Sequence, residues 1–115
     1  MTANKKIVQQ YMEGFMESNH EKVLECLTDN VIWKMPGHFD LSGKAAFDKE
    51  IENENFVGSP TIEIYRMVEE DEVVIAEGGV TSAKKDGGLL DAVFCDVFEF
   101  ENGKIKQLTS YLMTR

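Results

Sequence analysis

The chain has 115 residues, of which 43% are hydrophobic and 29% are charged, and its formal net charge is −9. This length and composition predict one globular domain over residues 1–115, large enough for a single core. The acidic balance argues against nucleic acid or an anionic membrane as a partner, because both require a basic surface. No apolar run approaches the roughly 20 residues that span a bilayer. The N-terminal stretch lacks the apolar core of a signal peptide, so we expect a cytoplasmic protein.

The residues that usually bind metals are scattered along the chain. Cys26 and Cys95 form no CxxC pair, and His20 and His38 lie far apart in sequence. We therefore expect buried free thiols, no metal site and no cofactor. The chain also lacks a glycine-rich phosphate loop, a GxSxG elbow and an HExxH motif, which removes the best-marked catalytic classes.

The N-terminal part of the chain shows helical periodicity. Apolar residues recur at helical spacing over residues 4–17, and Tyr11 lies on that apolar stripe. A second, short helix is predicted after Asn19, which is a favourable N-cap residue, and Thr28-Asp29-Asn30 is predicted to end it. The inward residues of this second helix are predicted to be Val23, Leu24 and Leu27.

A strand and a third helix follow. Residues 31–35 alternate like a strand that places Val31, Trp33 and Met35 on one face, and Pro36-Gly37 is expected to stop it. Residues 43–55 are predicted to form a helix, with Ser42 as its cap and with Phe47 and Ile51 facing inward.

The C-terminal half is predicted to be a β meander. Hairpin turns are predicted at Asp86-Gly87-Gly88 and Asn102-Gly103, which contain the residues that such turns require. A third turn is predicted at Glu69 to Glu72, as a charged tip exposed to solvent. A bulge or bend is predicted at Gly78-Gly79. The resulting order is ααβαββββ, an α+β fold with helices on one face of a curved, mostly antiparallel sheet. The four strands are predicted at about 61–68, 73–84, 89–101 and 104–113.

Asp96 is the most informative residue of the chain. In the strand predicted at 89–101 the even positions share one face, and they are apolar except for Asp96. An ionised carboxylate on such a face requires a partner or a raised pKa, so Asp96 is a candidate site residue. The residues that share its face are Leu90, Ala92, Phe94, Phe98 and Phe100.

Tyr11 is the second candidate, because its ring points into the predicted core. A helix packed on the sheet would bring Tyr11 and Asp96 together as two hydrogen-bond donors in an apolar cavity, an arrangement that stabilises an oxyanion. Purely structural roles for both residues are the alternative to this interpretation. Tyr11 can donate to a backbone carbonyl, and Asp96 can accept from a backbone N–H or from Arg66. Arg66 is predicted to share a face with Ile62, Ile64 and Val68.

Short segments along nearly the whole chain resemble, in order and spacing, the nuclear transport factor 2-like superfamily. More narrowly, they are similar to the branch of SnoaL-like polyketide cyclases and ketosteroid isomerases. The resemblance implies a cone in which three N-terminal helices cover a strongly curved (cystatin-like) sheet around a pocket, with dimers commonly formed through the outer sheet face. The segments that carry it are Ile7–Tyr11, Asn19–Leu24, Thr28–Gly37, Ser42–Ala46 and Cys95–Ile105.

The resemblance also implies roles for individual residues. Tyr11 and Asp96 match the tyrosine and the neutral aspartic acid that hold the oxyanion in the isomerases. The position of the isomerases' general base is Met35 in this chain, and a thioether cannot abstract a proton. His38 and Asp40, in the following loop, are alternative candidates for a base.

The sequence thus predicts a protein that binds a small hydrophobic molecule, with Tyr11 and Asp96 on its oxygen atom and an isomerase or cyclase activity as the enzymatic form. The alternatives are a non-catalytic ligand-binding protein and a dimerisation module on the same fold, both favoured by the absence of a base at Met35. A homodimer through the outer sheet face is expected. The residues predicted to bind the ligand are Trp33, Met35, His38, Phe94 and Phe98.

Overall fold

A computed structural model describes all residues, 1–115, as three helices and six strands. The helices are α1 (Ala3–Glu17), α2 (His20–Leu24) and α3 (Lys44–Ile51). The strands are β1 (Leu27–Met35), β2 (Phe39–Ser42), β3 (Phe56–Glu70), β4 (Val73–Lys84), β5 (Leu89–Glu101) and β6 (Lys104–Thr114).

One curved, unclosed sheet contains all six strands in the order β2-β1-β6-β5-β4-β3. Every neighbouring pair is antiparallel except β1 and β6, which run parallel. The predicted meander therefore forms β3 to β6, and the N-terminal helices pack against one face of the sheet. The predicted fold class, α+β with a curved and mostly antiparallel sheet, is confirmed.

The first two helices begin at the caps that their sequences supply. The Thr2 hydroxyl accepts from the backbone N–H of Lys5, and the Asn19 side chain accepts from that of Lys22, as predicted for Asn19. Gly14 lets the two helices approach closely, since a Cβ at this position would lie 2.7 Å from Cγ2 of Val23. A side chain at residue 14 would push α2 away from α1.

The second helix is shorter than predicted. It ends at Leu24, and Leu27 is fully buried as the first residue of β1, paired with Ile105 of β6. The run Thr28-Asp29-Asn30 is an irregular part of β1, where the pairing with β6 shifts register, rather than a helix end. Pairing with a distant strand therefore overrides the local helical pattern here.

The short strand β2 was not predicted, and the third helix was predicted too long. Pro36-Gly37 ends β1 as expected, but it belongs to a three-residue hairpin loop that pairs Met35 with Phe39. The N-cap of α3 is Gly43 without a side-chain bond, rather than Ser42, which belongs to β2. Beyond Ile51 the chain turns because the Asn53 side chain accepts from the backbone N–H of Asn55.

Two hairpin turns adopt the left-handed backbone that their geometry requires. Asn102 and Gly103 both have positive φ, at 50° and 79°, in the two-residue turn between β5 and β6. Asp71 and Glu72 also have positive φ, between β3 and β4, so this charged tip is a turn as predicted. It is not only solvated, since the Glu69 carboxylate accepts from the side chains of Thr2 and Asn4 at the start of α1.

The predicted irregularity near Gly78-Gly79 lies on the neighbouring strand. Pairing between β4 and β5 is continuous past both glycines, whereas β3 shifts register between Ile64 and Arg66. Gly78 permits this contact, because a Cβ there would lie 2.1 Å from the Glu63 carbonyl oxygen. The extra residue in β3 turns Arg66 to the face opposite Ile64, so the prediction that they share a face was wrong.

The core lies between the helices and the inner face of the sheet. Phe47 and Ile51 of α3 are buried in it, as predicted, together with the apolar stripe of α1. The buried residues of α1 are Asn4, Val8, Tyr11, Met12, Gly14 and Phe15.

None of the three helices combines the length and the apolar character that a transmembrane helix requires.

Candidate ligand-binding cavity

A cavity of about 540 Å³ opens between α1, α3 and the inner face of the sheet, and every strand contributes to its wall. This volume lies within the range of small-molecule sites, and more than half of the lining residues are hydrophobic. Six of the seven predicted site residues line it: Tyr11, Trp33, Met35, His38, Phe94 and Asp96.

Phe98, the seventh predicted residue, does not line the cavity. It is fully buried, and its ring packs edge-on against Tyr11 with the ring centroids 5.3 Å apart. Phe98 is the next residue after Asp96 on the inner face of β5, and it packs against α1 instead of bordering the open space. Its ring therefore fixes the position of the Tyr11 ring.

Aromatic rings form one side of the cavity. Trp33 stacks on Phe47 of α3 at 4.5 Å between centroids, and Phe39 of β2 meets the same indole edge-on at 5.2 Å. Phe15 of α1 completes the group, 6.0 Å from Trp33. These contacts fix the indole, and such aromatic pairs add stability beyond the area that they bury.

Asp96 lies on the inner face of β5, where it is only 9% exposed. Its neighbours in the sheet are Ala76 of β4 and Ser110 of β6. Burial raises the pKa of the Asp96 carboxyl from 3.8 to about 7, and the neighbouring Ser110 hydroxyl works in the opposite direction. The carboxyl is therefore largely neutral in mildly acidic solution.

The Tyr11 side chain is buried and lines the cavity, and its hydroxyl makes no hydrogen bond within the protein. Burial raises the pKa of this phenol well above 10.0, and the nearby charge of Asp96 raises it further. The phenol therefore stays protonated and remains a donor. None of the structural alternatives occurs: Tyr11 donates to no backbone carbonyl, Asp96 accepts from no backbone N–H, and Arg66 binds Glu77 rather than Asp96.

Two serines that sequence reasoning missed add polar groups to the cavity. Ser82 of β4 and Ser110 of β6 are both buried and line it. Ser110 accepts a hydrogen bond from the Trp33 indole N–H at 3.0 Å. The alternation of apolar residues that identifies Asp96 could also have identified Ser82 and Ser110, because each serine interrupts the apolar face of its strand.

Apart from Asp96 and Tyr11, the titratable residues that line the cavity lie in its outer part. His38 and Lys84 are exposed there, and Glu50 is half-buried with its carboxylate held by the Asn53 amide at 2.9 Å. Asp40, the other candidate base, is exposed and does not line the cavity. His38 is thus the one of the two candidate bases that borders the cavity.

The geometry provides two protonated donors, a phenol and a carboxyl, at an apolar wall. Such donors bind an oxygen atom that carries or develops negative charge, and they act more strongly here than in water. No group of three or more His, Cys, Asp or Glu side chains is placed to hold a metal ion.

The model of the SnoaL-like domain family matches residues 8–108 of the sequence. The chain belongs to the SnoaL-like domain family. The match spans both Tyr11 and Asp96, and it covers all the secondary structure except the start of α1 and the end of β6. No protein of the curated set shows significant sequence similarity to the chain.

Solved structures of the same fold agree with this family. An NTF2-like protein of unknown function from Burkholderia pseudomallei superposes with a TM-score of 0.88 at 18% identity, over 98% of this chain and 92% of that one. An LEH-like epoxide hydrolase from M. tuberculosis gives 0.85 at 17% identity, over 96% and 83%. TerC, co-crystallized with polyporic acid, gives 0.85 at 15% identity, over 99% and 92%. At these identities the likeness of this SnoaL-like chain to each of them concerns the fold.

Proposed function

We propose that this SnoaL-like protein binds a small, mostly hydrophobic molecule and holds its enol, phenol or carbonyl oxygen between Tyr11 and Asp96. The observation that carries the proposal is the Tyr11 hydroxyl, which makes no hydrogen bond within the protein although its side chain lines the same apolar cavity as the buried carboxyl of Asp96. A ligand oxygen in the cavity would supply the hydrogen-bond partner that the protein does not give this phenol.

The protonation states favour an anionic oxygen in the ligand. Below its pKa of about 7 Asp96 donates a hydrogen bond, and Tyr11 remains a donor at neutral pH because burial raises its pKa well above 10.0. The fold suits such a ligand, since its neighbours include a hydrolase and a protein crystallized with polyporic acid. In an enzymatic form the two donors would stabilise an enolate during isomerisation or cyclisation, with His38 or the substrate itself as the base.

Binding of para-nitrophenol tests the proposal, because its phenolate and phenol forms differ in visible absorbance. We expect saturable binding that enriches the phenolate form and raises the thermal stability of the protein. Tyr11→Phe and Asp96→Asn should each weaken binding about tenfold or more.

Matched controls make the same chemical changes away from the cavity. Tyr65→Phe alters an exposed phenol that accepts from Arg115, and Asp91→Asn alters a carboxylate paired with Arg115. Both should bind as tightly as the wild type. If phenols neither bind nor stabilise the protein, or if the controls weaken binding as much as the cavity variants, the proposal is overturned.

Catalysis is tested separately by supplying the missing base. Met35 lines the cavity, so Met35→Asp places a carboxylate where the related isomerases carry theirs. We expect the variant to isomerise simple β,γ-unsaturated ketones about 100-fold faster than the wild type, the usual lower range for a positioned base. A folded variant without this gain would favour the non-catalytic binding protein.

We also propose a homodimer through the outer sheet face. Val93 and Met113 are neighbours there on β5 and β6, and Met113 is 71% exposed. Adjacent exposed apolar side chains, with Tyr111 and Leu89 beside them, favour association with a second copy. Val93→Glu should convert a dimer to a monomer in sedimentation experiments, whereas Ala45→Glu, at an exposed position of α3 on the helix side of the sheet, should not. A wild-type monomer would contradict this proposal.

A further inference from the structure

A chain of polar groups crosses three neighbouring strands at the wall of the cavity. The Trp33 indole on β1 donates to the Ser110 hydroxyl on β6 at 3.0 Å, and Ser110 is only 4% exposed. In the next strand, β5, Asp96 is the direct cross-strand neighbour of Ser110. All three side chains line the cavity.

The direction of this chain follows from the chemistry of its members. An indole N–H can only donate, so the Ser110 oxygen accepts from Trp33 and its single hydrogen remains free to donate elsewhere. Directly opposed side chains on one face of an antiparallel pair lie about 5 Å apart at Cβ, within reach of each other. Asp96 is the acceptor in that position.

We infer that Trp33, Ser110 and Asp96 form a hydrogen-bond relay, in which Ser110 is a positioning residue that holds the Asp96 carboxyl in its ligand-facing orientation. The inference rests on the proposed function, because it assigns Ser110 a role only if Asp96 contacts the ligand. Nothing in the sequence pairs these residues, since Trp33 and Ser110 lie 77 positions apart.

The relay also favours the ionised form of Asp96. A hydroxyl that donates to a carboxylate stabilises its charge, and the Ser110 hydroxyl lowers the pKa of the neighbouring Asp96 carboxyl in this way. Trp33 strengthens that donation, because an accepted hydrogen bond polarises the hydroxyl.

The other titratable groups around Asp96 do not provide this effect. Tyr11 faces it from α1 and stays protonated, while His38, Glu50 and Lys84 border the outer part of the cavity. Cys95 and Glu77 lie on the opposite face of the sheet. Burial raises the pKa of Asp96, and Ser110 is the neighbouring group that lowers it, so Ser110 adjusts the pH at which Asp96 changes from hydrogen-bond donor to acceptor.

Carboxyl NMR titration of Asp96 in the ligand-free protein tests the relay. We expect Ser110→Ala to move the titration midpoint upward by about one pH unit, and Ser110→Thr, which keeps the hydroxyl, to restore it. Trp33→Phe should produce a smaller upward move. Ser82→Ala removes a hydroxyl from another strand of the same cavity and should leave the midpoint unchanged.

Two results would overturn the relay. The first is an unchanged midpoint in Ser110→Ala, and the second is an equal move in Ser110→Ala and Ser110→Thr, which would indicate a packing effect. If Ser110→Ala does not fold, Trp33→Phe carries the test, and an unchanged midpoint in that variant overturns the inference.

Ligand binding separates the failure of the relay from that of the proposed function. With the relay intact, the pH dependence of para-nitrophenol binding should follow the Asp96 midpoint upward in Ser110→Ala. If phenols do not bind but the Asp96 titration midpoint moves in Ser110→Ala, the proposed function is contradicted and the relay is supported. If phenols bind but the midpoint does not move, the relay is contradicted and the proposed function is supported.

Discussion

Two acid–base groups of this protein have raised pKa values for opposite physical reasons. At the cavity, Asp96 is buried among apolar groups, and desolvation of its charge raises its pKa to about 7. At the contact between α2 and α3, the His20 ring lies between two carboxylates, with Nδ1 2.5 Å from Asp48 and Nε2 bonded to Glu52. These two hydrogen bonds raise the pKa of His20.

The difference supports the proposal that the cavity, rather than the His20 cluster, binds a ligand. The charged form of His20 is stabilised by partners that the protein itself supplies, so the cluster is complete without a ligand. The charged form of Asp96 is destabilised, and the neutral form lines the cavity with the Tyr11 phenol, which makes no hydrogen bond within the protein. A group kept in an unfavourable setting points to function more strongly than one with satisfied hydrogen bonds.

Asp96→Asn should have the largest effect on the pH dependence of stability. Because the folded pKa exceeds the unfolded value, the contribution of Asp96 is fully present below pH 3.8 and is lost as the pH rises through about 7. The interval between these values corresponds to roughly 4 kcal/mol. Urea unfolding from pH 4 to pH 8 should therefore show the wild type losing stability relative to the variant. A constant difference across this range would mean that Asp96 is not desolvated.

Tyr11→Phe should separate ligand binding from stability. The hydroxyl has no partner in the protein, so its removal should leave the free energy of unfolding within about 1 kcal/mol of the wild type or raise it. Affinity for para-nitrophenolate should fall by roughly 10- to 100-fold, measured by absorbance titration. A variant that loses stability but keeps its affinity would show that the phenol is structural.

His20→Gln should have a smaller effect that depends on pH. The folded pKa of His20 is raised, so its contribution is present below pH 6.5 and disappears as the pH rises through the folded value. Thermal unfolding should show a slightly less stable variant near pH 6 and no difference in alkaline solution. Phenol binding should not change, and a change would place His20 in the ligand site.

Arg66→Ala should have the smallest effect. Its guanidinium is 73% exposed and pairs with Glu77 on the outer face at 2.9 Å, and exposed pairs contribute little. We expect a loss of no more than about 0.5 kcal/mol in urea unfolding, with an unchanged Asp96 titration. A moved titration would show that charges on the outer face reach the cavity.

Sequence reasoning locates Asp96 but not the His20 cluster, and the difference is physical. Asp96 breaks a period-two apolar pattern within its own strand, so local sequence reveals it. His20 meets carboxylates 28 and 32 residues away, and no local pattern records that contact. The hydrogen bond between Trp33 and Ser110 is likewise absent from any local pattern. Alternation of apolar residues within each strand predicts only that both residues face inward.

The fold shows the same division between local and distant control. Capping and turn residues located Asn19 and Asn102-Gly103 correctly, because these signals act within a few residues. Leu27 was assigned to a helix because its pairing with Ile105 is invisible in local sequence. The bulge in β3 was misplaced because the glycine that permits it lies on β4.

The parallel pairing of β1 with β6 has a consequence for how the protein folds. The two strands are separated by most of the chain, so this contact closes a long loop and raises the contact order of the domain. The antiparallel hairpins from β3 to β6 close short loops and can form early. We therefore expect β1 to dock on β6 late in folding, which joins Trp33 to Ser110. Partly folded chains would thus contain Asp96 without its finished surroundings, and ligand binding would report completion of folding.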